Sequence, residues 1–368
     1  MKNIHVVLVL VIIGAILLSA CTTTHTLNSQ ETIKTLKIGI ITPLTGWGAY
    51  WGVPVINGAE IAKDKISSEG MKLDLYIEDS KANGKETVMA AKKLINIDKI
   101  DAAIVDFSMP SLAVAPVFKD EKTPFVYVGY VKSILEENDY AFKSFLDVES
   151  DCKKMVRYAK VNNKTKKLGA ILAQTEYSHL CLKGAKEIEP NINEYWYNFG
   201  DTDFKPLFTK AKDDGVDTII IVGWTDEFVP FFQQMVEMDI DFNILCGSGS
   251  ECVPNEVLKN IPEETLQRII TFDLYGLEDT DFAKKYNEKH PNASKADLVA
   301  AAYGYDEVII LAEAAKHCNP VTKDCIKEHL LTIKDYPTAL NSNGFKDRVL
   351  QIKTKLYNVK DRKLSVLE

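Results

Sequence analysis

Short apolar runs alternate with amphipathic stretches along most of the chain. Polar or turn residues bound the runs, which predicts strands, and apolar residues at helical spacing between them predict helices. The predicted strands are Lys37–Thr42, Leu73–Glu78, Ala102–Asp106, Phe125–Val128, Leu168–Ala173, Glu194–Phe199, Thr218–Val222, Asn243–Leu245, Ile269–Leu274 and Val349–Tyr357. The predicted helices are Val55–Ser67, Glu86–Ile97, Ser111–Asp120, Asp151–Val161, Leu182–Glu187, Phe204–Lys212, Glu227–Met238 and Ala296–Lys316.

The alternation occurs as two successive series, and the second begins after Val148. Strands that alternate with helices form parallel sheets that carry helices on both faces. The pattern therefore predicts an α/β protein with two Rossmann-like lobes, each built on a mostly parallel sheet.

The N-terminus has the layout of a secretory signal. Lys2 precedes the apolar run Val6–Leu18, which is too short to cross a bilayer as a stable helix. The run closes in Leu-Ser-Ala-Cys, which resembles the lipobox of prokaryotic lipoproteins, where the cysteine is diacylated and gives durable membrane anchoring. We expect a signal peptide over 1–20, lipidation of Cys21 and a polar tether over 21–35. The alternative is an ordinary signal peptide with an incidental cysteine.

Composition narrows the class of partner. Apolar residues make up 46% and charged residues 26% of the sequence, as in a globular protein with a full core. The formal net charge of −8 argues against nucleic acid as a partner. Arginine is scarce beyond the tether, so we do not expect a bidentate guanidinium clamp to be central to function.

Six cysteines follow Cys21, and an even number in an exported protein favours disulfides. Sequence alone does not select among the 15 possible connectivities. The candidate pairs are Cys318–Cys325, Cys246–Cys252 and Cys152–Cys181. The alternative is that several are free, small core residues. The spacings give little support to a zinc site, and no metal is predicted.

The features expected of an enzyme are weak in this chain. The glycine-rich run 46–52 lies between a strand and a helix, but its spacing misses the dinucleotide fingerprint and its two tryptophans would obstruct a pyrophosphate. The histidines show no ligand spacing, and no serine or cysteine lies in a nucleophile elbow. We therefore predict a protein that is not an enzyme and holds no cofactor.

Aromatic residues concentrate where predicted strands end. Parallel sheets bind ligands at the carboxyl ends of their strands, so these residues predict an aromatic cleft between the lobes. They are Trp47, Tyr50, Trp51, Tyr130, Tyr177 and Trp224. Packing within their own loops is the alternative. Ser108 either caps a helix or binds a polar ligand atom there. Asp106 and Asp226 are either solvated or favour a cationic ligand.

Several short motifs, taken in order, resemble one family. They are Ile38-Gly39-Ile40-Ile41-Thr42-Pro43-Leu44-Thr45-Gly46, Asn57-Gly58-Ala59, Ser108 with Leu112-Ala113-Val114-Ala115-Pro116, Thr123-Pro124, Asp203-Phe204, Tyr305-Asp306-Glu307-Val308 and Asn343-Gly344. Together they resemble type I periplasmic binding proteins, in particular the branched-chain amino-acid (Leu/Ile/Val) binding group that delivers ligands to ABC importers. The resemblance covers roughly Lys37 to Leu367.

The resemblance implies two lobes joined by a three-strand hinge that closes around a ligand. Lobe one is expected over 36–146 and 276–340, and lobe two over 147–275 and 341–368. The residues expected to contact the ligand are Trp47, Trp51, Ser108, Tyr130, Tyr177, Trp224 and Asp226. By resemblance, Ser108 matches a serine that binds the ligand carboxylate. Trp51, Tyr177 and Trp224 match aromatic residues near the ligand.

Two departures from the family bear on the ligand. Val131 occupies the position where amino-acid binders have a threonine that helps to bind the ligand carboxylate. The sequence shows no obvious acid to bind the ligand ammonium near Gly247–Ser250, although Glu251 and Asp226 are close. We therefore expect a small solute with a flat apolar or cationic portion. The function expected is that of a monomeric, lipid-anchored, extracytoplasmic solute-binding protein that works with an ABC permease. The alternatives are a ligand-sensing receptor domain for a membrane signalling partner, or a branched-chain amino-acid receptor proper.

Overall fold

Two seven-stranded sheets organise the protein, and each carries helices on both faces. The computed structural model describes residues 35–162, 165–334, 336 and 338–367. The predicted signal peptide, Cys21 and almost all of the tether lie outside these residues. Among the helices within them, none is long and apolar enough to cross a membrane.

The first sheet has the strand order β11-β12-β5-β4-β3-β1-β2. Its strands pair in parallel except for β11 and β12, which pair with each other antiparallel. The strand bounds are β1 Thr35–Thr42, β2 Lys72–Asp79, β3 Ala102–Asp106, β4 Phe125–Val128, β5 Ala141–Lys143, β11 Phe345–Lys346 and β12 Val349–Leu350.

The second sheet has the order β14-β13-β10-β9-β8-β6-β7. Here β13 pairs antiparallel with both β10 and β14, and the other strands are parallel. The strand bounds are β6 Leu168–Ala173, β7 Asn193–Tyr197, β8 Thr218–Val222, β9 Asn243–Cys246, β10 Ile269–Leu274, β13 Thr354–Lys360 and β14 Lys363–Val366.

The helices fill the connections between strands. They are α1 Ala49–Ser68, α2 Gly84–Lys93, α3 Ser108–Asp120, α4 Ser133–Glu137, α5 Val148–Asn162, α6 Glu176–Lys186, α7 Lys205–Asp213, α8 Thr225–Glu237, α9 Asn255–Asn260, α10 Glu263–Leu266, α11 Asp281–Lys289, α12 Lys295–Lys316 and α13 Lys323–Leu330. A short π-helix, Leu94–Asp98, follows α2 directly, and short 3₁₀ helices lie at Gly249–Cys252 and Leu277–Asp279.

Each sheet is buried on both faces, which is why its central strands have nearly continuous apolar sequences. In β1, Ile38 and Ile40 face a core shared with α1 and α12, whereas Ile41 faces the core beneath α2 and α3. The second sheet has two such cores of its own. The predicted α/β fold with two mostly parallel lobes is confirmed.

The chain passes between the sheets three times, at 144–147, 275–280 and 351–353. The second and third crossovers are joined where the Tyr275 N–H donates to the Lys353 carbonyl at 3.2 Å. This is the three-strand hinge expected of the family.

One predicted boundary and one predicted strand are wrong. The residues after 340 were assigned to lobe two, but Val349 of β12 pairs with Lys143 of the first sheet, so lobe one extends to about residue 350. The single strand predicted over Val349–Tyr357 is two strands in different sheets, because the third crossover passes between them. The other lobe boundaries stay predictions.

Among the described residues, three disulfides join the candidate pairs considered above. The Cα atoms are 5.3 Å apart in Cys152–Cys181, 6.1 Å in Cys246–Cys252 and 5.8 Å in Cys318–Cys325. The first joins the adjacent helices α5 and α6, and the second closes the turn after β9. His329 lies near the Cys318–Cys325 sulfurs, but those sulfurs are bonded to each other and are not available as thiolate ligands to a metal.

Candidate functional site

An aromatic cluster lies where β1 and β3 of lobe one end. Helix α1 begins six residues before the predicted start, so Trp51 lies on its first turn rather than on a loop. Trp51 packs against Phe107 and Tyr303, with ring centroids 6.2 and 5.6 Å away. Trp47 stacks on Phe107 at 5.4 Å and is 69% exposed. Both tryptophans therefore pack on Phe107, and Trp47 retains a large accessible surface.

Gly52 allows the close approach that places Trp51. A Cβ atom at this position would lie 2.0 Å from the Pro43 carbonyl oxygen, so a side chain would push the first turn of α1 away from the end of β1. Glycine here lets the helix begin directly against the strand end. The two residues before Gly52 are then held at the carboxyl edge of the sheet.

Phe107 and Ser108 form a sharp turn between β3 and α3. Phe107 has φ +70° and ψ 143°, a region that L residues rarely occupy and that is found mainly where function requires it. Ser108, only 5% exposed, starts α3, and its Oγ accepts the Tyr130 N–H at 3.0 Å. Because that contact uses a lone pair, the Ser108 hydroxyl can still donate its proton to another group.

Tyr130 of lobe one meets Tyr177 of lobe two. Their rings contact edge to face, with centroids 6.1 Å apart, so the two lobes touch at this point. Tyr177 lies on the first turn of α6, which is capped where Thr175 Oγ1 accepts the Ser178 N–H at 3.2 Å. Burial raises the pKa of both tyrosines, so both phenols stay protonated and can donate hydrogen bonds.

Glu251 is an acid whose charge acts on residues of both lobes. It lies in the 3₁₀ turn after β9, which the Cys246–Cys252 disulfide closes. Many protein atoms lie around the carboxyl, yet the residue as a whole is exposed to solvent. Burial, followed by the charge of Asp273, raises the pKa of Glu251 to about 7.

Glu251 acts on residues of both lobes. Its charge contributes to the raised pKa of Tyr177 in its own lobe and of Tyr50 in lobe one. Tyr50 as a whole residue is 54% exposed. Burial of its phenol group, followed by the negative charge of Glu251, nevertheless raises the Tyr50 pKa to about 12. Among the described residues, the one charged neighbour that shifts the Glu251 pKa is another acid. The Glu251 carboxyl thus acts on residues of both lobes, and no cation of the described residues lowers its pKa.

Trp224 and Asp226 lie at the start of α8. Asp226 is exposed on the first turn of α8. The Trp224 ring packs edge to face on Phe199 of the same lobe, with centroids 5.1 Å apart. Glu227 fixes the Trp224 backbone by accepting its N–H at 2.8 Å. A ligand role for Trp224 and Asp226 stays a prediction.

Val131 lies in the core and not at the site. Its side chain is buried among the apolar residues beneath α3 and α4, and its carbonyl accepts the Tyr127 hydroxyl at 2.7 Å.

A surface depression of about 450 Å³ lies on lobe two beside His179 and Trp196. None of the predicted ligand-binding residues lines this depression, so it does not coincide with the cleft.

Two lobes joined by three crossovers, with aromatic residues between them and an acid whose charge acts on both, define a two-lobed ligand-binding protein. The sequence matches the family described as "Periplasmic binding protein" over residues 35–362. The chain belongs to this family, whose members bind ligands rather than catalyse reactions.

Known relatives are distant. Leu/Ile/Val-binding protein homolog 2 from Brucella abortus is 23% identical, in an alignment that covers 60% of this chain and 62% of that protein. The chain thus spans about three fifths of the length of the curated relatives it matches.

Solved structures resemble the whole fold. The branched-chain amino acid transporter substrate-binding protein LivJ from Streptococcus pneumoniae, in complex with isoleucine, is 22% identical with a TM-score of 0.75; the match covers 90% of this chain and 98% of that one. A solute-binding protein of an ABC transporter from Rhodopseudomonas palustris, in complex with 3,4-dihydroxybenzoic acid, is 19% identical with a TM-score of 0.73, over 91% and 96%. At these identities the likeness shows the fold alone.

Proposed function

We propose that the protein is the extracytoplasmic solute-binding component of an ABC importer and captures a small amine-bearing solute with a flat apolar portion. The observation that carries the proposal is Glu251, an acid that acts on residues of both lobes and whose pKa is lowered by no cation among the described residues. A ligand ammonium would supply the missing charge through a charge-assisted hydrogen bond. The names of the relatives, which are Leu/Ile/Val-binding and amino-acid-binding proteins, support the class of function.

The opposite end of the solute would meet lobe one. The Ser108 hydroxyl and the N-terminus of α3 favour a carboxylate or carbonyl oxygen, because first-turn N–H groups and the helix dipole attract negative charge. Trp51, Tyr130 and Tyr177 would pack on the apolar portion. Each such aromatic contact contributes on the order of 1 kcal/mol beyond the area buried.

Capture would proceed by closure of the lobes on the hinge. The Tyr130–Tyr177 contact already joins them, and a solute that contacts both Ser108 and Glu251 binds the closed state better than the open one. That difference in affinity is what drives closure. The closed protein, a monomer in this proposal, would then dock on a membrane permease.

Binding of an amine is expected to weaken as the pH falls. Glu251 has a pKa of about 7, so it is ionised above that pH and protonated below it, while an aliphatic amine stays charged throughout. Isothermal titration of an amine ligand should therefore give an affinity on the order of tenfold weaker at pH 5.5 than at pH 7.5. An affinity that does not change between these pH values would contradict the role given to Glu251.

We also propose that Cys21 anchors the protein to a membrane. Labelling of growing cells with a palmitate analogue should mark the wild type, and Cys21→Ser should remove the label and release the protein into the soluble fraction. A Ser19→Thr variant serves as the control for disturbance of the same segment. A label that persists in Cys21→Ser would refute the lipobox interpretation.

A further inference from the structure

Three loops leave the second sheet side by side at its carboxyl edge. Ala173, the last residue of β6, pairs with Tyr197 of β7, and the residue before it pairs with Val222 of β8, so the three strands end at nearly the same level. Tyr177, which meets Tyr130 of lobe one, follows β6, and β6 lies between the other two strands. The loops after β7 and β8 therefore leave lobe two on either side of the strand whose end leads to a contact between the lobes.

An aromatic pair joins the two flanking loops. Phe199 lies two residues beyond the end of β7, and Trp224 lies two residues beyond the end of β8. Their rings contact edge to face with centroids 5.1 Å apart, so the pair reaches across the end of β6. Phe199 is 62% exposed, and packing on Trp224 thus leaves most of the residue accessible. An accessible ring that is held in place offers a face or an edge on which another ring can pack.

Glu227 ties these two loops together. It is the third residue of α8 and is 3% exposed. One carboxylate oxygen, Oε1, accepts the N–H of Gly200, the residue after Phe199, at 2.7 Å. The other oxygen, Oε2, accepts the Trp224 N–H at 2.8 Å and the Tyr197 hydroxyl at 2.8 Å. A single buried carboxylate therefore binds the backbone beside both rings of the pair.

Capping of α8 accounts for only one of these contacts. A carboxylate at the third helical position commonly accepts the N–H of the residue that precedes the helix, which here is Trp224. The contacts with Tyr197 and Gly200 come from β7 and the loop after it and are not part of the cap. Gly223 makes room for them, because a Cβ atom there would lie 2.3 Å from the Tyr197 hydroxyl oxygen and 2.5 Å from Glu227 Oε2.

Further hydrogen bonds brace both loops. Gln234, two turns further along α8, accepts the Phe204 N–H at 2.8 Å and so holds the far end of the loop after β7. Ser248 accepts the Gly223 N–H at 3.0 Å and donates to the Gly223 carbonyl at 2.8 Å. Ser248 directly precedes the short 3₁₀ helix that contains Glu251. The loop of the aromatic pair is therefore bonded to the loop of the acid on which the proposed function depends.

We propose that Glu227 is a positioning residue, and that the Phe199–Trp224 pair it holds is the surface that lobe two presents to the flat portion of the solute. Phe199 is then a residue of the binding site that sequence patterns did not single out. The positioning by Glu227 stands on contacts within the protein. The contact between Phe199 and a solute rests on the function proposed above.

Hydrogen exchange of ligand-free protein tests the positioning. In the wild type the amides of Gly200 and Trp224 should exchange slowly, although both residues lie outside the helices and strands. Glu227→Gln leaves one acceptor oxygen where two are used, so at least one of these amides should exchange at least about tenfold faster. Glu237→Gln removes an exposed acid from the end of the same helix and should leave both rates unchanged.

Two amines test the contact with a solute. Phenethylamine carries a flat ring and butylamine does not, while both carry the ammonium expected to bind Glu251. Calorimetry should show that Phe199→Ala weakens the binding of phenethylamine at least about fivefold and that of butylamine little. Glu227→Gln should act likewise, and adding it to Phe199→Ala should cause little further loss, because both changes remove the same contact. A general loosening of lobe two would instead weaken the binding of both amines alike.

Each measurement has a result that would overturn the proposal. Fast exchange of the Gly200 and Trp224 amides in the wild type, or unchanged exchange in Glu227→Gln, would show that the carboxylate does not hold the loops. Equal binding of phenethylamine to the wild type and to Phe199→Ala would show that the pair does not contact a solute. Because Phe199 is exposed, this variant serves even where Glu227→Gln does not fold. If neither amine binds the wild type, the proposed function and the solute contact fail together, whereas the exchange rates still decide the positioning.

Discussion

Glu251→Gln should weaken the binding of an amine-bearing solute by roughly a hundredfold, about 2.7 kcal/mol. The substitution keeps the size of the side chain but removes the Glu251 charge, whose pKa no cation among the described residues lowers. It should also abolish the weakening of affinity at low pH, because the titrating group is gone. Isothermal titration calorimetry at pH 5.5 and 7.5 measures both effects.

Glu256→Gln is the matched control for this variant. Glu256 lies on α9, five residues further along the same lobe, and its side chain is exposed. An exposed surface acid should change the affinity little. If the two variants weakened binding equally, general electrostatic attraction and not a contact with Glu251 would account for the loss.

Trp51→Ala should weaken solute binding at least about tenfold, about 1.4 kcal/mol. The ring lies on the first turn of α1 between Phe107 and Tyr303, where a planar solute would stack on it. Trp51→Phe keeps the aromatic face and loses the N–H, so it should retain most of the affinity if stacking dominates. Binding to the wild-type protein should quench its tryptophan fluorescence, which provides the measurement.

Trp196→Phe controls for general effects of losing a tryptophan. Trp196 lies in β7 of lobe two, where its Nε1–H donates to Glu194 at 3.0 Å. Its replacement should leave the affinity close to that of the wild type. A Trp51→Ala variant that bound solute as tightly as Trp196→Phe would show that the indole packs on Phe107 without contacting the solute.

The strands could be predicted well from the sequence, and the helix starts could not. Ala102–Asp106, Phe125–Val128, Leu168–Ala173 and Ile269–Leu274 have the bounds predicted for them, because a strand buried on both faces has a continuous apolar sequence. Helix α1 begins at Ala49, before its apolar periodicity starts. This start is hard to predict, because Pro54 lies inside the helix whereas proline is usual in a first turn. Early helix starts move Trp51, Tyr177 and Asp226 from predicted loops onto first turns.

The site was predictable in its residue types and less so in its geometry. Aromatic residues at strand ends predicted an aromatic cleft between the lobes. Tyr130 and Tyr177 meet across the lobes, and their ligand role stays a prediction. Asp226 and Glu251 could not be distinguished, because their positions depend on the α8 start and on the turn closed by the Cys246–Cys252 disulfide.

Identification of the solute tests the central claim most directly. Protein purified from its native host without denaturation can be extracted and its retained small molecules identified by mass spectrometry. Each can then be titrated calorimetrically alongside leucine and valine. We predict a solute with an amine and a flat apolar portion, which binds more tightly than either aliphatic amino acid and loses affinity in Glu251→Gln. Submicromolar binding of leucine or valine, with no binding of aromatic or other amine compounds, would contradict the account and indicate a branched-chain amino-acid receptor.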